Sequence, residues 1–461
     1  MSQNNAPQGL EPLEELDLSK LPRRPRALQS SLRLNIRGRS VSLRRFQRPP
    51  TGLMRWLLIL GPGLIASSAG NDAGGIATYS QAGAQFGYEL IWVMVIITVS
   101  LAVVQEMGAR LGAATGRGLL DLIRERFGIG WTLLAMGILF IANSGLVVSE
   151  FLGIGAAAEL FGISRWLVVP IAAVALWYVV IFGSYAWVEK IFLVMTLVFF
   201  AYPIAAILAR PDWGEVARGA FVPVIRSDQA YLFLLVGLLG TTITPFMQLF
   251  QQSSIVERGV ARRHYGPERV DAYAGAIFSN LISVTMIIAT AATLHKAGQT
   301  QIESAADAAQ ALGPFVGNGA ETLFGIGLMG ASLLAGAVLP LTTAYAVSEV
   351  FGAPKGVNLD FRRAPIFFGL FTGLIFVGAG IALIPSLPVI QWLVGVQVLN
   401  GALLPVMLVF TLRLINDERL MGSLKNTRLY NVLGWGTFVL ITVAVVIMLG
   451  SQLLTLMGVI P

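Results

Sequence analysis

Eleven long apolar runs constrain this chain more than any other feature of its sequence. They cover approximately residues 53–84, 88–113, 131–160, 165–182, 187–209, 229–256, 271–293, 318–350, 364–384, 387–412 and 430–456. A helix crossing the hydrocarbon core of a bilayer needs about 20 apolar residues, so each run is long enough, or nearly long enough, to span. Inside lipid every backbone polar group must be satisfied within the segment, which selects helices. Of the 461 residues only 12% are charged, against about 25% in ordinary soluble chains. The expectation is an all-α polytopic membrane protein with about 11 transmembrane helices, residues 50–461 forming one transmembrane domain.

Residues 1–49 are different in kind. They hold ten basic side chains, among them Arg23, Arg24, Arg44 and Arg45, four acidic ones and no long apolar run. This reads as a basic, disordered cytoplasmic tail that is not cleaved, because the apolar core of a signal peptide is missing. A second reading lets Ser31 to Arg48 touch anionic headgroups. If the N-terminus is inside, the loops place all but five of the 32 Lys and Arg residues on the cytoplasmic side. The five are Arg165, Arg210, Arg218, Arg226 and Lys296. Such a bias is what the positive-inside rule requires, and it predicts an odd number of spans, a cytoplasmic N-terminus and an extracytoplasmic C-terminus in a cytoplasmic (inner) membrane. The net charge of +7 lies almost wholly in the tail, so it gives no reason to expect nucleic acid. No obligatory protein partner is evident either; the partner that length and charge imply is the bilayer.

Two segments are interrupted. The first reads Gly61-Pro62-Gly63 and then Gly70-Asn71-Asp72-Ala73-Gly74-Gly75; the sixth reads Gly240-Thr241-Thr242-Ile243-Thr244-Pro245. Glycine adds backbone freedom and proline removes a donor, so helix breaks are expected at Gly70, Gly74, Gly240 and Pro245. Close-packing glycines and a proline kink would explain either segment alone. Breaks in segments one and six together are what a five-plus-five inverted repeat places around a binding site at mid-membrane.

Asp72 is the most informative residue. A carboxylate at mid-span is costly unless partnered, and no Lys or Arg lies at comparable depth, so the missing positive charge reads as a transported cation. A helix-capping aspartate is the plainer alternative. Asn71, Thr241, Thr244 and freed backbone carbonyls would complete an all-oxygen set, which suits hard divalent cations. Glu150, midway along segment three, either relays protons, holds a second cation, or is a buried neutral glutamate. Gln397 and Asn400 either point an amide oxygen at the site or bond between helices. Glu106 and Arg110 have the spacing of an i,i+4 ion pair. The chain has no cysteine, which removes disulfides and thiolate chemistry, and His264 and His295 read as loop residues.

Several of these stretches together resemble a known family. Gly61-Pro62-Gly63, Asp72-Ala73-Gly74-Gly75 and Gln81-Ala82-Gly83 are similar to the first helix of the Nramp divalent-metal transporters. Ala109-Arg110-Leu111-Gly112, Glu150-Phe151-Leu152-Gly153, Gly240 to Pro245, and Gln397-Val398-Leu399-Asn400 with Pro405 resemble its second, third, sixth and tenth helices. The resemblance implies the LeuT-like fold, with helices 1 and 6 broken at mid-membrane, and alternating access. It places Asp72 on the family's metal-binding aspartate and Gly75 on its asparagine ligand. Thr244 stands where the family has a methionine and Phe246 where it has a histidine. Loss of a thioether removes a soft ligand that favours transition metals, and phenylalanine cannot move protons. These departures look like the Nramp-related magnesium transporters, in which a wider site accepts a largely hydrated ion.

The function expected is therefore import of Mg²⁺, and of Mn²⁺ with it, without proton coupling and with no resident cofactor. The rivals are a LeuT-fold symporter for an amino acid or other organic solute, whose carboxylate Asp72 would repel, and a proton-coupled transition-metal transporter. An intramembrane enzyme lacks any catalytic motif, and a non-transporting sensor would show no flux.

Overall fold

The computed structural model describes residues 33–36, 39–42, 71–182, 200–257, 259–260, 262, 265–357, 359–385 and 387–457. Expectations for most of the basic tail, for the first half of segment one including Gly70, for the start of segment five and for His264 lie outside the described residues. The chain divides into two units, Met1–Trp56 and Leu57–Pro461. In the first, strands β1 (Arg33–Ile36) and β2 (Arg39–Ser42) pair antiparallel, with Arg33 opposite Ser42 and Ile36 opposite Arg39. Polar and apolar residues alternate along β1, the period of a strand, and this hairpin was not anticipated within the tail.

The described residues of the second unit form helices joined by loops. Its principal elements are α1 (Ala73–Phe86), α2 (Ile91–Thr115), α3 (Leu119–Phe127), α4 (Ile129–Leu160), α5 (Arg165–Phe182), α6 (Ala201–Leu208), α7 (Trp213–Phe221), α8 (Gln229–Thr242), α9 (Pro245–Glu257), α10 (Tyr265–Thr290), α11 (Ala320–Phe351), α12 (Pro365–Ala382), α13 (Val389–Ile415) and α14 (Arg428–Leu456). Among the described residues nine helical stretches are long and apolar enough to cross a membrane. They coincide with nine of the eleven runs; the other two, segments one and five, are described only over α1 and α6. Helices that are apolar on every side bury one face in protein and leave the other to lipid. On α5 the outer face carries Trp166, Leu167, Ile171, Val174 and Tyr178, and on α14 Leu429, Val432, Val439 and Val443, all exposed. The α8–α9 stretch is the opposite case, with 89% of its apolar window buried against 28% for α5, so the interrupted segment is the central one. Around it pack α13, α2, α14 and α1, while α4 and α11 form the most extensive helix pair.

The break in segment six falls at Ile243 and Thr244. Ile243, at φ −116° and ψ 70°, leaves the helix after its N–H closes the last turn on the Leu239 carbonyl at 3.0 Å. Pro245 has no N–H and disfavours helical backbone at Thr244, so it opens α9 as a first helical residue. Proline alone does not force this: Pro170, Pro340 and Pro405 lie inside continuous helices.

Gly240 and Gly74 do not mark breaks, contrary to expectation. Gly240 sits inside α8, and a Cβ there would lie 2.0 Å from the Gln397 carbonyl oxygen and 2.3 Å from the Gly401 nitrogen. Gly401 in turn faces the Val236 carbonyl at 2.4 Å from its own would-be Cβ. The two glycines let α8 and α13 touch backbone to backbone. Gly74 lies in the first turn of α1, where a Cβ would come within 2.1 Å of Gln397 Nε2. Both glycines are there for close approach to α13 rather than for unwinding. His295 is likewise no loop residue: it ends a π-helical turn, Ala291–His295, that prolongs α10, and its Nδ1 lies 2.9 Å from the Ala84 carbonyl at the end of α1.

Candidate cation site

The site is built at the start of α1. Asp72 is its N-cap, in extended backbone, and Oδ1 accepts from the Gly75 N–H at 2.6 Å. Gln397 Nε2 reaches the same carboxylate, 3.2 Å from Oδ1 and 3.4 Å from Oδ2. The second buried acid arrives from α4, where Glu150 Oε2 lies 3.5 Å from the Ala73 N–H. Two carboxylates thus share one helix N-terminus, the end whose free N–H groups and dipole favour negative charge. Gly153, one turn beyond Glu150, permits this: a Cβ there would stand 2.5 Å from the Ala73 Cβ and 2.4 Å from Ser332 Oγ.

Around this pair the buried polar atoms divide into engaged and unengaged. The Asn71 carboxamide is held by α10, donating to Ser279 Oγ at 3.3 Å and accepting from Ser283 Oγ at 3.0 Å. The Tyr79 hydroxyl lies 3.0 Å from Thr242 Oγ1. Asn400 Nδ2 donates to Gln397 Oε1 at 3.3 Å. By contrast Thr241 Oγ1, Thr244 Oγ1, Glu150 Oε1 and Asn400 Oδ1 are buried with no hydrogen-bond partner among the described residues. Buried polar atoms are nearly always paired; these four oxygens, one of them in the Glu150 carboxylate itself, keep their lone pairs free. All are hard oxygen donors of the kind Mg²⁺, Mn²⁺ and Ca²⁺ take. Among the described residues there is no cluster of three or more His, Cys, Asp or Glu side chains able to hold a metal ion.

Of the residues singled out from sequence, Asp72, Gly75 and Gln397 come into direct contact, and Glu150 joins them through Ala73. Thr241 and Thr244 flank the break with free hydroxyls, but no hydrogen bond links them to Asp72. Gly75 contributes its N–H to the carboxylate. Gln397 presents nitrogen rather than the expected oxygen, because a carboxylate demands a donor; the capping role foreseen for Asp72 as the plainer alternative is therefore real and coexists with its partnership with Gln397. Glu106 and Arg110 form the expected ion pair at 3.1 Å, with Tyr265 donating to Glu106. Sequence reasoning missed Tyr79, Thr242, Ser279 and Ser283. The signal was present only as two serines four residues apart in an apolar run.

Apolar spans packed around a broken helix, with carboxylates gathered at an adjoining helix end, define an integral multi-pass membrane protein of the LeuT-like class. The solved structure of Mhp1, a nucleobase-cation-symport-1 family transporter, shares this fold at a TM-score of 0.53, with 13% identity over 85% of this chain and 91% of that one. The match is closer to the Eremococcus coleocola manganese transporter, at a TM-score of 0.71 and 20% identity over 89% and 90% of the two chains. Residues 63–451 match the family model described as Nramp, natural resistance-associated macrophage protein-like, and the chain belongs to that family. Among its relatives, the divalent metal cation transporter MntH of Deinococcus radiodurans is 30% identical over 427 residues, 89% of this chain and 92% of that protein. MntH of Klebsiella pneumoniae is 28% identical over 414 residues, 87% and 95% of the two.

Proposed function

We propose that this chain is a divalent cation transporter that imports Mg²⁺, and Mn²⁺ with it, across a cytoplasmic membrane by alternating access and without proton coupling. Family membership and the names of its relatives support divalent cation transport. The observation that carries the magnesium reading is the donor set: Asp72 with the orphaned oxygens of Thr241, Thr244, Asn400 and Glu150, and Thr244 and Phe246 at the two positions where the resemblance calls for a thioether and an imidazole. Oxygen-only ligands suit an ion that keeps much of its water. With the N-terminus inside, a membrane potential drives the doubly charged ion inward at about 2.3 kcal/mol per charge per 100 mV, so no second ion is required. The organic-solute alternative is disfavoured because the amides at the start of α1 that could hold a substrate carboxylate already face Asp72 and Glu150.

The test is metal uptake into proteoliposomes holding a pH-sensitive dye. Potential-driven Mg²⁺ and Mn²⁺ uptake with no accompanying acidification is expected. Acidification that tracks metal uptake and disappears in Glu150→Gln would instead identify a proton-coupled transporter, and competition by amino acids but not by Mg²⁺ would identify an organic-solute carrier.

A further inference from the structure

The short helix α7 is apolar on more sides than the protein covers. At about 100° per residue, Gly219, Val216 and Ala220 fall on one side of it, Trp213, Ala217 and Phe221 on the next, and Arg218 and Glu215 on the third. The apolar arc therefore extends over about 200°. Only its first part meets protein. Val216 and Gly219 are buried, and a Cβ on Gly219 would lie 2.4 Å from the Tyr88 carbonyl oxygen, in the turn between α1 and α2. Trp213 is 55% exposed and Phe221 79%, and the chain beyond α7 adds exposed Val222, Val224 and Ile225, the last at 80%. Phe221 and Ile225 are the most exposed large apolar side chains among the described residues.

The neighbours of this stretch fix its level. Four residues separate α7 from the end of α6, where Ile204, Ile207 and Leu208 are exposed, so the stripe continues the outer apolar surface of the fifth run. The Val224 carbonyl accepts from Trp92 Nε1 at 3.2 Å and from the Tyr231 hydroxyl. Arg226 bridges Glu89 at 3.2 Å and Asp228, the N-cap of α8, at 2.8 Å. Residues 221–228 are thus held where α2 and α8 begin, at the boundary of the spans. Their charges, taken with those of α7 and its approach, cancel: Arg210, Arg218 and Arg226 against Asp212, Glu215 and Asp228. Without net charge there is nothing to attract a charged partner. A helix with a broad apolar arc and a narrow polar side, placed at the end of a span, suits the boundary between headgroups and acyl chains, and tryptophan is enriched at that depth.

We propose that α7 is an interfacial helix, with Trp213, Phe221 and Ile225 among the acyl chains next to the phospholipid headgroups of the leaflet at which α6 ends. Arg218 and Glu215 stay on the wet side. Through Val224 and Arg226 the helix ties the starts of α2 and α8 to the membrane surface, so the entry to the interrupted segment is anchored in lipid and does not hang in an aqueous loop.

The chain has no cysteine, so single cysteines carry the test. Phe221→Cys, Ile225→Cys and, as a reference on the polar side, Glu215→Cys all replace exposed residues. Each full-length variant is labelled with a nitroxide and reconstituted in phosphatidylcholine vesicles. Its collisions with oxygen, which dissolves in the bilayer, are compared with its collisions with a neutral nickel chelate, which stays in water. The oxygen-to-nickel ratio at 221 and 225 should exceed that at 215 at least about threefold, and equal ratios overturn the proposal. Low collision rates with both reagents, together with spin–spin broadening between labels at 221, would put a second copy of the chain on the stripe and overturn it as well. Because the charges cancel, the ratio should be the same when phosphatidylglycerol is included; a ratio that rises only with the anionic lipid overturns the apolar basis. None of these outcomes depends on cation transport by the chain.

Discussion

At the scale of single residues, Asp72 has two duties that separate by substitution. As an N-cap it is worth about 1 kcal/mol to α1, and in the function proposed its carboxylate supplies charge to the cation. Asp72→Asn keeps a capping oxygen and removes the charge, so thermal stability should change little while uptake falls more than about tenfold; uptake near normal would remove Asp72 from the site. Thr244→Met tests selectivity. A thioether beside the break should shift competition from Mg²⁺ toward Mn²⁺ and Cd²⁺, read as the ratio of uptake rates from mixed metals. Gln397 shows why one side chain was only half legible. Its position opposite the site follows from a polar residue in an apolar run, but which end of the amide points inward depends on Asp72, a residue 325 positions away.

At the scale of elements, the interruption of α8–α9 was legible because proline acts on its own backbone, and the span lengths were legible because lipid imposes them. The meaning of the glycines was not. Gly240 and Gly74 look like sites of backbone freedom until α13 is placed against them, and nothing local in the sequence announces Gln397 or Gly401 as the neighbour. Gly240→Val should therefore lower the unfolding temperature in detergent, overpacking a tight contact costing about 1–3 kcal/mol. Gly373→Ala on α12, with open space around it, should leave that temperature where it is. Pro245→Ala restores an N–H, and greater helicity across Ile243 and Thr244 with slower transport is the expected result.

For the molecule as a whole, the orientation proposed from the loop charges puts the ends of α2 and α9 at the cytoplasmic face. Reporter fusions at Gly298, in the loop after α10, should be reached from outside intact cells, and fusions at Gly116 should not; the reverse pattern would invert that orientation. Of the eleven spans expected from length and charge, nine are seen among the described residues, and Asp72 stood out as a carboxylate inside an apolar run, whereas Glu150 and Gln397 each left a structural alternative open. The hydroxyls of α10 could not be foreseen, because each is unremarkable until α1 is brought against them.

The bare contact between Gly240 and Gly401 has a mechanical meaning. Interlocked side chains resist sliding and hold helices at a fixed angle, but here two backbones meet with nothing between them. Such a contact fixes the separation of the two helices at one point, so that any tilt of α8 on α13 would turn about it. Thr241 and Gln397 flank that point, so a tilt of a few degrees would shift the ends of the helices far more than the residues that face the ion. Paired spin labels near Ala230 and Ile415, measured against a pair close to the contact, would register the long lever and the still pivot separately.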